Sequence, residues 1–477
     1  MKKNKTSSLD VCFLIASSAK KSYQQLFKTY AAIEPPTWAL LLAQSCRSVG
    51  FKVAIIDANA ENLSDDEVLK KISKFNPRIV CLVVYGQNVN AGTANMRGAV
   101  DITNFLKTKK VSYPIAFIGS HVQALPVATL KEEKNINIVF TNEGVYALRN
   151  LLKLDRFSSQ ELKDIKGIAY RKGNEIKINL PEKVVPTEKM DVDLPGYAWD
   201  LLPYKNKPLD LYRSPMWHAE YDFEKRSPYA SLQTSLGCPF KCTFCCINAP
   251  FERNTIRFWS PKHIINQIKI LVENYNIYNI KIPDEMFVLN PKQVKGICDE
   301  IITRGYGKKL NFWAYARIDT LEDNEMLKKM IQSGFKWLAV GIESSSKHVR
   351  DGVVKGRFTN HNIEGIVKKV RDMGFYVGAN YIFGLPDDNE DSMKETLDLS
   401  IRINSEWSNF YSGMAYPGSQ LYPMAKKKGW VLPDDKGGPG WIGYSQHAYE
   451  TLPLRTEHIK GSEVLNFRDS AFDEYFK

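Results

Sequence analysis

The sequence predicts an α/β protein with a doubly wound, Rossmann-like first domain, a partial (β/α)6 TIM-like barrel behind it, and a short C-terminal extension. Three observations predict it. Apolar strand runs alternate with amphipathic helical stretches in two blocks, at 10–155 and 230–425. A stretch without clear period separates the blocks. The 477 residues, 44% of them hydrophobic, are more than one ordinary core holds. The expected domains are therefore 1–155, a linker at 156–229, a barrel at 230–425 and an extension at 426–477.

The first block reads VCFLIA, TWALLLAQSCRSVG, KVAIIDA, DDEVLKKISKF and IVCLVVYG, followed by apolar runs at 115–119 and 136–140. Continuous apolar runs followed by helices are parallel strands covered on both faces. Ligands of such sheets bind at the carboxyl ends of the strands, so 85–96, 119–126 and 142–144, rich in Gly, Asn, Ser or Thr, are the segments to watch. Plain turns are the alternative. In the linker, GIAYRKGNEIKIN predicts a hairpin turning at 172–174, and a Pro- and Tyr-containing stretch follows. The second block predicts helices at 261–275, 291–303, up to 333, and 359–373. It predicts strands at 279–282, 311–316, 337–342 and 376–383, with 416–419 as the end of a sixth strand. The tail opens with a Gly- and Pro-rich loop and ends in an amphipathic helix at 462–476.

A net charge of +12 is spread as 65 basic among 53 acidic residues with no long basic run, which argues against a nucleic-acid partner. No run of about 18 apolar residues occurs, so no membrane span is expected, and a cytoplasmic location is. Four of eight cysteines crowd into 238–246, which points to a metal in a reducing compartment rather than to disulfides. Cys12, Cys46, Cys81 and Cys298 lie in apolar or amphipathic runs and read as buried thiols.

Cys238, Cys242 and Cys245 have the spacing C-x3-C-x2-C at the expected end of the first barrel strand. Three thiolates on one loop can hold three irons of a cubane cluster and leave the fourth open. A structural zinc site wants four closed ligands; it would need Cys246 or a distant His.

This motif resembles the signature of radical S-adenosylmethionine (radical SAM) enzymes, over roughly 231–425. The resemblance implies a 4Fe-4S cluster on Cys238, Cys242 and Cys245, S-adenosylmethionine on the open iron, and an electron donor such as flavodoxin or ferredoxin. It also implies that Asp284 and Glu285 hydrogen-bond the cosubstrate's ammonium, with a solvated helix cap as the alternative reading. Glu343 would contact its ribose or carboxylate. Arg317 would pair a carboxylate, or else form a surface ion pair with Asp319. Phe244 and the stretch around Ile382 would approach the adenine, although Asn380 and Asp387 depart from the family's pattern there.

A doubly wound domain directly before such a barrel is similar to the cobalamin-dependent class. The supporting matches are Pro35-Pro36-Thr37-Trp38, Asp57, Gly119-Ser120-His121 and Asn142-Glu143-Gly144. The resemblance implies cobalamin held by Gln87, Asn88, Thr93, Gly119, Ser120 and Glu143. The Asp-x-His-x-x-Gly pattern that supplies a lower ligand is absent, so His121 is expected near the corrin edge, with an axial role as the alternative. The activity this implies is methyl transfer to an unactivated carbon of a small-molecule substrate, by way of a 5′-deoxyadenosyl radical and methylcobalamin. A radical cyclase or rearrangement enzyme is the runner-up. An RNA-modifying methylthiotransferase would call for a second cysteine triad and a basic RNA module, and neither is visible. Trp313, Tyr315, Trp407, Tyr411 and Tyr416 are candidates for the barrel mouth, and 441–450 for substrate contact.

Overall fold

The computed structural model describes residues 8–29, 31–85, 92–215, 226–251, 253–355 and 360–477. The first sheet contains β1 (Leu9–Ile15), β2 (Val53–Asp57), β3 (Pro77–Val83), β4 (Ile115–Ile118), β5 (Ile138–Phe140), β6 (Ile168–Lys172) and β7 (Glu175–Ile178), in the order β2-β1-β3-β4-β5-β6-β7. The first five strands are parallel, as their unbroken apolar runs predict. Alternate residues go to opposite faces. Val11, Phe13, Ile79 and Cys81 join one core, and Cys12, Leu14, Val80 and Leu82 join the other.

The hairpin falls where the sequence places it, but it is part of the first sheet rather than of a linker. β6 pairs antiparallel with β5 and β7 with β6, so the first unit continues to Ile178. The following stretch packs Tyr197, Trp199 and Tyr212 into the core shared with the barrel. Tyr212 Oη donates to Asp57 Oδ2 at 2.9 Å, which ties it to the end of β2.

The second sheet is a parallel half-barrel of β8 (Tyr229–Ser231), β11 (Asn279–Ile282), β12 (Asn311–Arg317), β13 (Phe335–Glu343), β14 (Tyr376–Phe383) and β15 (Trp407–Ser412). Between β8 and β11 the short strands β9 (Ser235–Leu236) and β10 (Arg257–Phe258) pair antiparallel and bracket the cysteine loop. The sixth barrel strand therefore ends at Ser412, and Tyr416 lies in the loop beyond it. Phe312, Ala314, Leu338, Val340, Val377, Ala379 and Phe410 face the outer helices. Trp313, Tyr315, Trp337, Ala339 and Trp407 form a separate cluster on the opposite, inner face.

The tail covers both units. Its last helix, Gly461–Tyr475, packs on the outside of the half-barrel through Phe467 and Phe472. Upstream of that helix, Trp430, Leu432, Trp441, Tyr444 and Leu454 complete the second core of the first sheet. No described helix is long and apolar enough to cross a membrane.

Candidate active site

The cysteine loop leaves β9 through Gly237, whose φ of +88° and close approach to Thr255 exclude a side chain: a Cβ there would lie 2.4 Å from the Thr255 carbonyl oxygen. Asn248 then clamps Cys238 from both sides, accepting from its amide at 3.0 Å and donating to its carbonyl at 2.8 Å. The loop is anchored further by Thr243 N donating to the Val353 carbonyl and Leu421 N to the Thr243 carbonyl. Cys238 and Cys246 are buried, Cys242 and Cys245 half-buried, and all are free thiols. Burial pushes the Cys238 thiol up to about 11 and raises Cys245 well above its ordinary value. Among the described residues no three His, Cys, Asp or Glu side chains stand close enough to share a single metal ion. A cubane hangs each thiolate on a different iron, and three thiols spread along one loop suit that arrangement.

Two adjacent acids follow β11, and the structure separates their roles. Asp284 is buried and both its oxygens are engaged: Oδ1 accepts from Thr234 N at 2.8 Å, and Oδ2 from Thr234 Oγ1 and Ser235 Oγ at 2.6 Å each. It pins the strand that launches the cysteine loop, which corrects its expected part as a cosubstrate ligand. Burial pushes its carboxyl up to about 6 against those hydrogen bonds. Glu285 is left facing the cysteines, its carboxyl pushed up to about 7 chiefly by burial, with Lys281 and Lys355 pulling the other way.

Arg317 makes the ion pair with Asp319 that the sequence offered as the alternative, but away from the surface. Its guanidinium forks onto Asp319 at 2.9 and 2.8 Å, yet it is buried, lies 3.9 Å over the Phe240 ring and turns Nη1 to Cys242 Sγ at 3.6 Å. It is neither a surface pair nor open to a second carboxylate. Glu343 ends β13 at a bulge with φ +70° and pairs with Lys355 at 2.5 Å, both buried. Lys355 is a site residue that the sequence did not reveal. Twelve positions, including the short helix Lys347–Gly352, separate it from Glu343, and no motif marks it. Phe244 and Ile382 pack on one apolar cluster with Val349, Val353 and Leu385, which brings the two expected adenine neighbours together.

In the first domain the strand ends approach each other through glycines. A Cβ on Gly119 would lie 2.1 Å from the Val84 carbonyl oxygen, and one on Gly92 would lie 2.1 Å from Ser120 Oγ. Thr93 Oγ1 meets His121 Nδ1 at 3.3 Å, while His121 Nε2 is buried without a partner among the described residues. Burial pushes this imidazole down to about 3, so it is neutral; its ring lies edge-on to Trp441 of the tail at 4.3 Å. Gln87 and Asn88 lie outside the described residues. Glu143 has a role beyond its expected one: its oxygens accept from Val185 N at 2.5 Å and Arg257 Nη2 at 2.7 Å, so it also joins the two units. The units meet at the cysteine loop itself. Gly418 fits a seam where a Cβ would lie 2.7 Å from Ala249, 3.1 Å from Ala124 and 3.4 Å from Cys246.

Residues 232–400 match the family model of the Radical SAM superfamily, and residues 24–152 match that of the B12 binding domain. An uncharacterized methyltransferase of Pyrococcus horikoshii is 28% identical over 392 residues, 82% of this chain and 78% of its own length. An anaerobic magnesium-protoporphyrin IX monomethyl ester cyclase of Cereibacter sphaeroides is 23% identical over 445 residues, 91% of this chain and 65% of its own length. The radical S-adenosylmethionine methyltransferase TsrM from Kitasatospora setae, solved with cobalamin and a 4Fe-4S cluster bound, shares the fold. Its TM-score is 0.70 at 14% identity, covering 98% of this chain and 91% of its own. The cofactors that go with the two matched domains are a 4Fe-4S cluster, S-adenosylmethionine and cobalamin. The free thiols of the loop, the Glu285 carboxylate, the glycine-lined strand ends and the His121 nitrogen that has no partner among the described residues are donors and close backbone surfaces that fit them. With a B12-binding domain set against a radical S-adenosylmethionine half-barrel, this chain belongs to the cobalamin-binding radical SAM enzymes.

Proposed function

We propose that this enzyme transfers a methyl group to an unactivated carbon of a small molecule. The observation that carries this reading is the seam at Gly418, where Ala124 from the helix after β4 comes against Cys246 and Ala249 of the cysteine loop. A carrier that must hand a group to a substrate held beside the cluster needs both centres to open on one space. The methyltransferase descriptions of two of the similar proteins support the same reading. When bound, the cluster with S-adenosylmethionine supplies a 5′-deoxyadenosyl radical, and cobalamin supplies the methyl group.

The chain's own residues then have distinct tasks. Cys238, Cys242 and Cys245 hold the cluster, and Cys246, buried in the seam, does not. Glu285 accepts hydrogen bonds from the cosubstrate's ammonium. Glu343, fixed by Lys355, faces the ribose, and Arg317 orients Cys242. Phe244 and Ile382 flank the adenine. Thr93, Gly119, Ser120 and His121 form the surface under the corrin edge. A flavodoxin- or ferredoxin-type protein delivers the electron. Water is kept out by the tail and by the segment before the helix Thr37–Arg47, which close the half-barrel from the side.

The test is to prepare the protein anaerobically with cobalamin, count iron and corrin, and supply methyl-labelled S-adenosylmethionine with reductant and a small-molecule extract. About four irons and one corrin per chain, with label passing into a small molecule as 5′-deoxyadenosine forms, is the expected result. A product without added label, formed as 5′-deoxyadenosine accumulates, would instead favour cyclisation without methyl transfer. The likeness to the cyclase across 91% of this chain supports that second reading.

A further inference from the structure

The inner face of the half-barrel is hollow. Along β14 and β15 the inward residues Asn380, Ile382, Trp407, Asn409 and Tyr411 keep partial exposure, while their outward neighbours Tyr381, Phe383, Ser408, Phe410 and Ser412 are buried. Space is cleared at mid-height by Ala339 and Gly378. A Cβ on Gly378 would meet nothing nearer than the Ala339 Cα at 4.0 Å. Below lies a floor of Trp313 and Trp337, and the open side is sealed from two distant parts of the chain. Tyr23 and Glu34 come from the first domain. Gln446 and His447 come from the tail, with Gln446 Nε2 donating to Tyr416 Oη at 3.1 Å and the rings of His447 and Tyr23 5.8 Å apart.

Three described cations that line this space, Lys281, Lys355 and Arg317, are each neutralised by a carboxylate of the protein itself. Lys281, 1% exposed, pairs with Glu34 at 2.8 Å and lies 4.8 Å over Trp313; Lys355 is taken by Glu343 and Arg317 by Asp319. An anionic group entering here would leave water without finding a free counter-charge among these three. The polar groups on offer are uncharged: the hydroxyls of Tyr23, Tyr315 and Tyr411 have no hydrogen-bond partner among the described residues, and burial raises the pKa of all three. Flat Trp and Tyr faces around a slot of small residues suit a flat guest.

We propose that the space between Trp407, Tyr315, Tyr411 and Tyr23 binds the reacting part of the substrate, and that this part is an electrically neutral aromatic or heteroaromatic ring. The proposal rests on the reading that the half-barrel mouth is the reaction site, and it deepens that reading by naming the substrate class.

Three matched probes test it by equilibrium dialysis on the cluster- and cobalamin-loaded protein with S-adenosylmethionine present: 2-naphthol, 2-naphthoate and decahydro-2-naphthol. The neutral flat ring is expected to bind at least ten times more tightly than either the anion or the saturated alcohol. Trp407→Ala should weaken 2-naphthol at least tenfold, and Tyr411→Phe, which keeps the packing, two- to fivefold. Naphthoate binding as tightly as naphthol, no binding of any probe, or naphthol binding unchanged in both variants would each overturn the proposal. Binding is read without turnover, so selective naphthol binding in a protein that transfers no methyl label would remove the reaction and keep the chamber.

Discussion

The cysteine loop and the strand ends of the first domain both use a close glycine approach, at Gly237 and at Gly119, but differ in what else holds them. Around the cysteines, position is set by charge and hydrogen bonds made at a distance: Asp284 to Thr234 and Ser235, Asn248 around Cys238, Arg317 between Asp319 and Cys242. In the first domain, position is set by close packing at glycines, Gly119 against the Val84 backbone and Gly92 against the Ser120 side chain, next to a histidine held neutral. A polar scaffold of the first kind aims a few side chains at one point. Close apposition of the second kind makes a surface for a large, flat partner to lie on.

If the two regions are separate in this way, removing one cofactor's ligands should spare the other cofactor. Replacing Cys238, Cys242 and Cys245 with Ala should abolish iron binding and all turnover, with corrin still bound; Cys246→Ala should keep about four irons. Metal and corrin analysis of the purified variants decides it, and loss of corrin from the triple variant would break the comparison. The next largest effect concerns the strut between the regions. Glu143→Ala leaves the buried Arg257 without its 2.7 Å partner, which costs about 3–5 kcal/mol, read as a lower denaturation midpoint. Glu143→Gln, which can still accept from Val185 N, should lose less.

The smallest effect is on how stability changes with pH. His121 and His447 are held at about 3 and about 4 by burial, below the ordinary value of about 6.5. The unfolded chain therefore takes up protons that the folded one refuses, and stability is lost as pH falls below about 6.5. Each histidine should account for about 1 kcal/mol by pH 5.5. Asp284 and Asp57, raised to about 6, act in the opposite sense: the folded state holds their protons longer, so stability drains as pH rises from about 3.8 through 6. Melting temperature against pH for the protein, His121→Gln and Asp284→Asn would show a flatter acid side in the first variant and not in the second.

The barrel was legible to the residue in places. The helices Pro261–Tyr275 and Pro291–Thr303 and strands β11 and β14 have the bounds their periodicity predicts, because caps such as Ser260 and Asn290 and the apolar alternation are local signals. The triad was legible for the same reason. Partnerships across long chain distances were not. Glu34 and Lys281 are 247 positions apart, and nothing in either neighbourhood names the other. The adjacent acids Asp284 and Glu285 read as equivalents until the hydroxyls of Thr234 and Ser235 were seen to occupy one of them. The hairpin at β6 and β7 was visible as a hairpin, but its pairing with β5 depends on an open sheet edge that no local pattern records.

The tail's placement also has a consequence for synthesis. One face of the first sheet is finished only by Trp430, Leu432, Trp441, Tyr444 and Leu454, roughly 300 residues after the last strand of the parallel block. At about 5–20 residues per second, the nascent chain carries that apolar face open for roughly 15–60 s, and the first domain is completed only after most of the half-barrel has left the ribosome.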